Sequence, residues 1–342
     1  MNERRLPAEW EKQDGVLLAW PHEGTDWRPD LDRVEPVFAE IVRQISLYER
    51  VIVAAPDIGR VGRKLNEAGV ARDRVALFTV ETNDTWTRDF GPITVMHGRD
   101  PILLDFAFNG WGLKFPACLD NRVTRRLHCE GAFGCAALET VGLVLEGGSI
   151  ESDGRGTILT TAECLLGPNR NPHLTRRDLE AALGGIFGAD RFHWLENGLL
   201  AGDDTDGHID TLARFGPDDT IVHVSCDDRA DEHYDSIGAM VEELGRLRSR
   251  RGEPYRLIPL PWPGPRFDGD GNRLPATYAN FLVINGAVLV PTYRDEKDAA
   301  ALQAVGRVFP DRRIVGVDCL PLILQHGSLH CVTMQLPKGT LP

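Results

Sequence analysis

The sequence predicts an α/β protein built from repeated units that face a common axis, as in a propeller. Three observations predict it. Short apolar runs bounded by turn residues alternate with stretches whose apolar residues recur at helical spacing. A strand–turn–strand pattern, the mark of a β-hairpin, recurs four times, with helical and strand-like stretches after it, so the unit reads as ββαβ. A polar residue able to do chemistry stands just before or at the start of each hairpin, and in pseudo-symmetric units such positions meet at the axis.

The elements can be taken in order. Residues 16–21 form an apolar run with strand character. Over residues 31–48, Val34, Phe38, Ile41, Val42 and Ile45 share one helical face. Residues 51–55 and 75–80 are apolar enough for buried strands, and 58–68 between them are helical, ending at Gly69. This alternation favours a sheet covered by helices. Hairpins follow at 93–96 with 102–105, at 149–151 with 157–160, at 211–215 with 220–224, and at 280–284 with 287–291, each turning on Gly, Asp or Asn. Further helices are expected at 174–187, 233–248 and 298–308, and strands at 255–260, 313–317 and 332–336. A length of 342 residues alone suggests two domains, but the repetition favours one domain over 1–342.

Composition narrows the function. A net charge of −13 argues against nucleic-acid binding, which needs a basic surface for phosphates. The same charge suits a small cationic substrate, although acidity also simply keeps a protein soluble. No run approaches the roughly 20 apolar residues of a membrane span. The stretch Met1 to Arg5 does not open a signal peptide. Seven cysteines, an odd number at scattered spacing, read as reduced thiols in a cytoplasmic protein, six of them as small buried hydrophobes. Homo-oligomerisation is left open.

Cys331 stands apart from the other thiols. It follows the small loop 325–328 and opens a strand-like run, a context that leaves room for a substrate and fixes a nucleophile. A thiol needs a proton partner, and His208 in the stretch 203–210 is the best candidate. On a strand, His208 and Asp210 would project to one face. Asp89 lies with Trp86 and Arg88 before a Gly-Pro turn, a density unusual for a solvated loop. Glu146 precedes two glycines that let backbone approach closely. Trp86 and Trp111 are candidates to line a channel, or ordinary core aromatics. The Asp-rich stretch does not fit an EF-hand, because Ala213 stands where the twelfth-position Glu is required. Zinc-site spacings are absent, so no metal is expected. One thiol, one imidazole and several carboxylates describe a hydrolase whose electrophilic carbon belongs to a cation, and a guanidinium fits.

Five motifs carry a resemblance. Trp86-Thr87-Arg88-Asp89-Phe90-Gly91-Pro92, Phe108-Asn109-Gly110-Trp111-Gly112, Glu146-Gly147-Gly148-Ser149-Ile150, Gly207-His208-Ile209-Asp210 and Leu329-His330-Cys331-Val332-Thr333 resemble, in order, the agmatine deiminases and the bacterial peptidyl-arginine-deiminase-type enzymes grouped with them. The resemblance implies the pentein fold, a five-bladed α/β propeller, and hydrolysis of agmatine to N-carbamoylputrescine and ammonia without metal or organic cofactor. It implies Cys331 as nucleophile, His208 as general acid/base, Asp89 and Asp210 as the grip on the guanidinium, and Glu146 as support for His208. The family's Gly-rich run ending in Asn is Gln325-His326-Gly327-Ser328 here. This change bears on the substrate's amine tail, so peptidyl arginine or another guanidino compound is the second reading. A non-catalytic or metal-binding propeller, drawn from the Asp-rich stretch, is the third.

Overall fold

The computed structural model describes residues 4–342; Met1 to Glu3, part of the stretch read as opening no signal peptide, lie outside the described residues. Its architecture is mixed α/β. Five sheets share one plan: an antiparallel pair, then a parallel third strand reached through a helix. In the first, Ile93–His97 pairs with Asp100–Ala107, helix Val123–Cys129 crosses over, and Ala137–Val144 lies parallel. The second uses Ile150–Ser152, Thr157–Thr161, helix Arg176–Phe187 and Arg191–Leu195. The third uses Ala213–Gly216, Thr220–Val224, helix Tyr234–Arg246 and Arg256–Leu260. The fourth uses Leu282–Ile284, Ala287–Thr292, helix Asp298–Gly306 and Arg313–Asp318.

The fifth sheet joins distant parts of the chain. Met334–Pro337 pairs antiparallel with Gln13–Ala19, with Met334 opposite Leu17. Helix Leu31–Ser46 leads to Arg50–Ala55, parallel to Gln13–Ala19, and helix Ile58–Glu67 leads to a fourth strand, Val75–Thr79. The β/α alternation of the early chain and the lone strand near Cys331 are thus two parts of one unit.

Local chemistry sets the boundaries. Thr175 caps Arg176–Phe187 by accepting from the Asp178 amide, while the Asp178 carboxylate accepts from the Thr175 amide. Gly188 ends this helix at φ +66°, a conformation that costs glycine nothing. Val34, Phe38, Ile41, Val42 and Ile45 are all fully buried, as their spacing requires. Each such side chain contributes roughly 1.5–3 kcal/mol through burial.

Several expectations need correction. The strand 332–336 begins only at Met334, because Thr333 still closes a turn on His330 and its hydroxyl bonds the Leu329 and His330 carbonyls. His208 and Asp210 do not lie on a strand: Ile209–Thr211 is one turn of 3-10 helix and the hairpin starts at Ala213. The strands Arg191–Leu195 and Ala137–Val144 were not expected as such. Cys118, Cys129 and Cys135 are exposed, not buried, although all seven cysteines are free thiols. Among the described residues, no helix is long and apolar enough to cross a membrane.

Candidate active site

The turn entering each sheet carries at least one polar group of the site, the third carrying both His208 and Asp210, and these turns meet. Asp89 lies on the single turn Thr87–Phe90, whose start is tied to the Cys331 turn by the Arg88 amide donating to the Cys331 carbonyl at 3.1 Å. Glu146 precedes the turn Gly147–Ser149, and His208 immediately precedes Ile209–Thr211. Asn280 enters the fourth sheet and Cys331 the fifth. A Cβ placed on Gly148 would stand 2.6 Å from His208 Nδ1, 2.9 Å from Asp89 Oδ1 and 3.2 Å from Asp210 Oδ2. Only a glycine leaves that point open, and three charged or titratable groups converge there.

Cys331 and Asp89 line one cleft of about 240 Å³, together with Trp86, Trp111 and Phe115. The cleft is also lined by Asp26, Asp84, Asp203, Asp204 and the loop Gln325, His326, Gly327. Among its lining residues there is no Lys or Arg. Both tryptophans therefore face the cleft. Trp111 gets there through an unusual backbone: Gly110, Trp111 and Gly112 all have positive φ, and at Gly110 a Cβ would come within 2.2 Å of the Phe115 carbonyl oxygen. The result is an indole Nε1–H donating to Asp89 Oδ2 at 2.9 Å.

Asp89 is fixed at both oxygens, since Oδ1 accepts from the Gly148 amide at 3.0 Å. Burial, with Asp210 nearby, still pushes its carboxyl well above the usual range. Asp210 behaves differently. Burial alone would raise it, but its Oδ2 accepts from His330 Nδ1 at 2.7 Å, and the carboxyl is held below its ordinary value. Its Oδ1 is buried without a hydrogen-bond partner. Cys331 Sγ lies 3.4 Å from Asn280 Oδ1, which also accepts from the His330 and Cys331 amides. Burial, then Asp210 and Asp89, push the Cys331 thiol well above its usual pKa.

His208 is buried, and neither ring nitrogen has a hydrogen-bond partner. Asp89 Oδ1 lies 3.7 Å from Nδ1 and Glu146 Oε2 lies 4.0 Å from Nε2. Burial drops its pKa to about 3, so the imidazole is neutral near pH 7. Glu146 lies behind His208 and is gripped by Arg170, whose Nε stands 3.0 and 2.9 Å from its two oxygens. Arg170 also reaches Asp206 at 2.7 Å. Its loop gave no signal in the sequence.

The Asp-rich stretch has a structural explanation. Asp203 accepts from the Thr205 hydroxyl and the Gly207 amide, both at 2.6 Å, and so staples the turn that presents His208. Glu146, Cys164 and His208 do bring ligand atoms within 4.8 Å of one another. The Arg170 guanidinium already contacts both Glu146 oxygens, so the charge a metal would bring is supplied by a side chain. Asn280, Arg170 and His330 are the site residues to which sequence reasoning gave no role. His330 sits inside a quoted motif and Asn280 at a repeat-equivalent place, so for those two a signal existed.

An α/β chain of repeated units that brings a thiol and Asp89 to one acidic cleft, with His208 and Asp210 converging on Asp89 beside it but not among the lining residues, has the make-up of a hydrolytic enzyme acting on cations. The chain belongs to the Porphyromonas-type peptidyl-arginine deiminase family, whose sequence model matches residues 5–337. It is 34% identical to an agmatine deiminase of Ectopseudomonas mendocina, covering 97% of this chain and 95% of that protein. A solved structure from Porphyromonas gingivalis, provisionally an arginine deiminase, is 51% identical with a TM-score of 0.94, covering 99% of this chain and 100% of the other. An agmatine deiminase of C. jejuni, solved with substrate bound, is 40% identical with a TM-score of 0.90, covering 98% and 97%.

Proposed function

We propose that the protein is an agmatine deiminase, a hydrolase that converts agmatine and water to N-carbamoylputrescine and ammonia, a step toward putrescine. The observation that carries this is the cleft itself: Cys331 and five aspartates among its lining residues, and no Lys or Arg there to receive a substrate carboxylate. Free arginine would bring an unpaired carboxylate into that lining, whereas agmatine brings only positive charge. The family membership and the named relatives support the same reading.

In this reading Asp89 and Asp210 grip the guanidinium and the two tryptophans flank it. The cation lowers the cost of forming the Cys331 thiolate. The thiol proton passes to neutral His208, and sulfur bonds to the central guanidinium carbon. His208 then protonates one nitrogen, which leaves as ammonia as its C–N bond breaks, and an S-linked thiouronium remains on Cys331. Water next adds to that carbon as His208 takes one of its protons; the C–S bond breaks, the His208 proton returns to the Cys331 sulfur, and the ureido product leaves as the water's second proton passes to solvent. Glu146, held by Arg170, supports the protonated form of His208. We further propose that residues 1–342 act as a single catalytic domain, with the five sheets ringing one axis as a five-bladed pentein propeller.

The second reading is a deiminase of peptidyl arginine or another guanidino compound. Membership of the Porphyromonas-type peptidyl-arginine deiminase family favours it, and arginine within a peptide has no free carboxylate to repel. A panel of agmatine, free arginine and an arginine peptide, with ammonia release as readout and Cys331→Ala as control, decides. Agmatine is expected to give the highest kcat/KM; a preference for either arginine form overturns the substrate assignment.

A further inference from the structure

His330 precedes Cys331, and neither it nor Asp210 is among the residues lining the cleft, although Asp210 converges with Asp89, which is, on the point above Gly148. The His330 ring lies between two carboxylates: Nδ1 is 2.7 Å from Asp210 Oδ2, and Nε2 is 2.7 Å from Glu9 Oε2 and 3.0 Å from Arg214 Nη2. Glu9 is itself pinned, accepting from Arg214 Nη2 at 2.8 Å and from the Val283 amide at 2.7 Å. Arg214 is fully buried; it pairs with Glu151 and donates from Nη1 to the Phe281 carbonyl at 2.6 Å. The imidazole is thus clamped at its far end by groups from several sheets, and its near end holds one oxygen of a carboxylate in the site.

We propose that His330 is a positioning residue for the substrate: it occupies Oδ2 of Asp210 and leaves Oδ1 as the buried acceptor for a guanidinium N–H. The inference rests on the reading of the cleft as a guanidinium site. Two features support it. Asp210 Oδ1 has no hydrogen-bond partner, although leaving such an atom buried costs about 1–3 kcal/mol. Asp210 also stays ionised beside a second buried carboxyl, Asp89, whereas Asp89 is pushed well up. The charged and titratable groups facing Asp210 are His330, His208, Arg214, Arg88, Asp89 and Cys331. Of these, His330 makes the hydrogen bond to its carboxylate.

The test is calorimetric binding of agmatine to full-length Cys331→Ala across a pH series, with and without a change at position 330. In that background His330→Ala should weaken binding at least about tenfold. It should also move the acid limb of binding to higher pH, because Asp210 loses the donor that keeps its proton off. His330→Asn, whose amide nitrogen reaches the Nδ1 position, should recover most of the affinity, whereas His330→Gln, reaching toward Glu9, should not. If His330→Ala does not fold, the Asn and Gln variants still discriminate. Unchanged affinity and pH limb in the His330 variants, or equal loss in Asn and Gln, would overturn the inference alone. Absence of agmatine binding to Cys331→Ala itself would remove the cleft reading, and the inference with it.

Discussion

At the scale of single residues, the site is tuned so that its charged forms wait for the substrate. Cys331 and Asp89 are both pushed up by burial, and His208 is pushed down to about 3. A bound cation reverses the penalty for the first two. The thiolate absorbance of wild type minus Cys331→Ala should therefore titrate above pH 9 in the free protein. Its midpoint should fall when guanidinium ion is added. A midpoint unaffected by guanidinium contradicts this. The sequence announced Cys331, His208, Asp89, Asp210 and Glu146 because each is a reactive residue type in a dense or glycine-flanked stretch. Arg170 was invisible: it lies in a Pro- and Asn-rich loop, and only the fold brings it to Glu146.

At the scale of elements, short turns place the chemistry. Gly148 has an ordinary backbone, so its importance is space rather than conformation. Gly148→Ala should lower kcat/KM at least about a hundredfold, since a methyl group would stand among His208, Asp89 and Asp210. Its unfolding midpoint should also fall, because a Cβ 2.6 Å from the buried His208 ring overpacks the site at a cost of about 1–3 kcal/mol, but the loss of activity should far exceed the loss of stability. Equal loss of stability and activity would mean that the turn, not the open space, is what the glycine provides. Helices and hairpins were legible where period or turn chemistry was strong, as in 31–48 and at Asn285-Gly286. Arg191–Leu195 escaped because Arg191, His193 and Trp194 give it no clean alternation, and all three are only half-buried. His208 and Asp210 were placed on a strand because their spacing of two fits one; in the fold an extended His208 precedes a 3-10 turn that holds Asp210, so the two converge without sharing a strand face.

At the scale of the whole molecule, closure is the least legible feature. Met334–Pro337 pairs with Gln13–Ala19, and no local pattern tells a strand that its partner lies more than 300 residues away. The buried groups Glu9, Arg214 and Glu151, which meet His330 where the sheets join, were likewise unread, because nothing in their separate stretches ties them together. They carry a pH consequence. Burial would raise the Glu9 carboxyl, but His330 and Arg214 hold it well below its ordinary 4.5. A depressed folded value stabilises the protein above the unfolded pKa and is lost as pH falls below it. Between about pH 6 and about pH 3.5, wild type should lose more stability in urea than Glu9→Gln does. Parallel losses in the two proteins would remove Glu9 from the account.

The central claim is that Cys331 attacks a guanidinium carbon, and one measurement reaches it directly. Protein turning over agmatine should be quenched in acid and its peptides weighed. The account predicts an adduct of agmatine less ammonia on the peptide containing Cys331, absent from Cys331→Ala, which should also release no ammonia. An unmodified Cys331 during steady turnover, or undiminished ammonia release by Cys331→Ala, would contradict it.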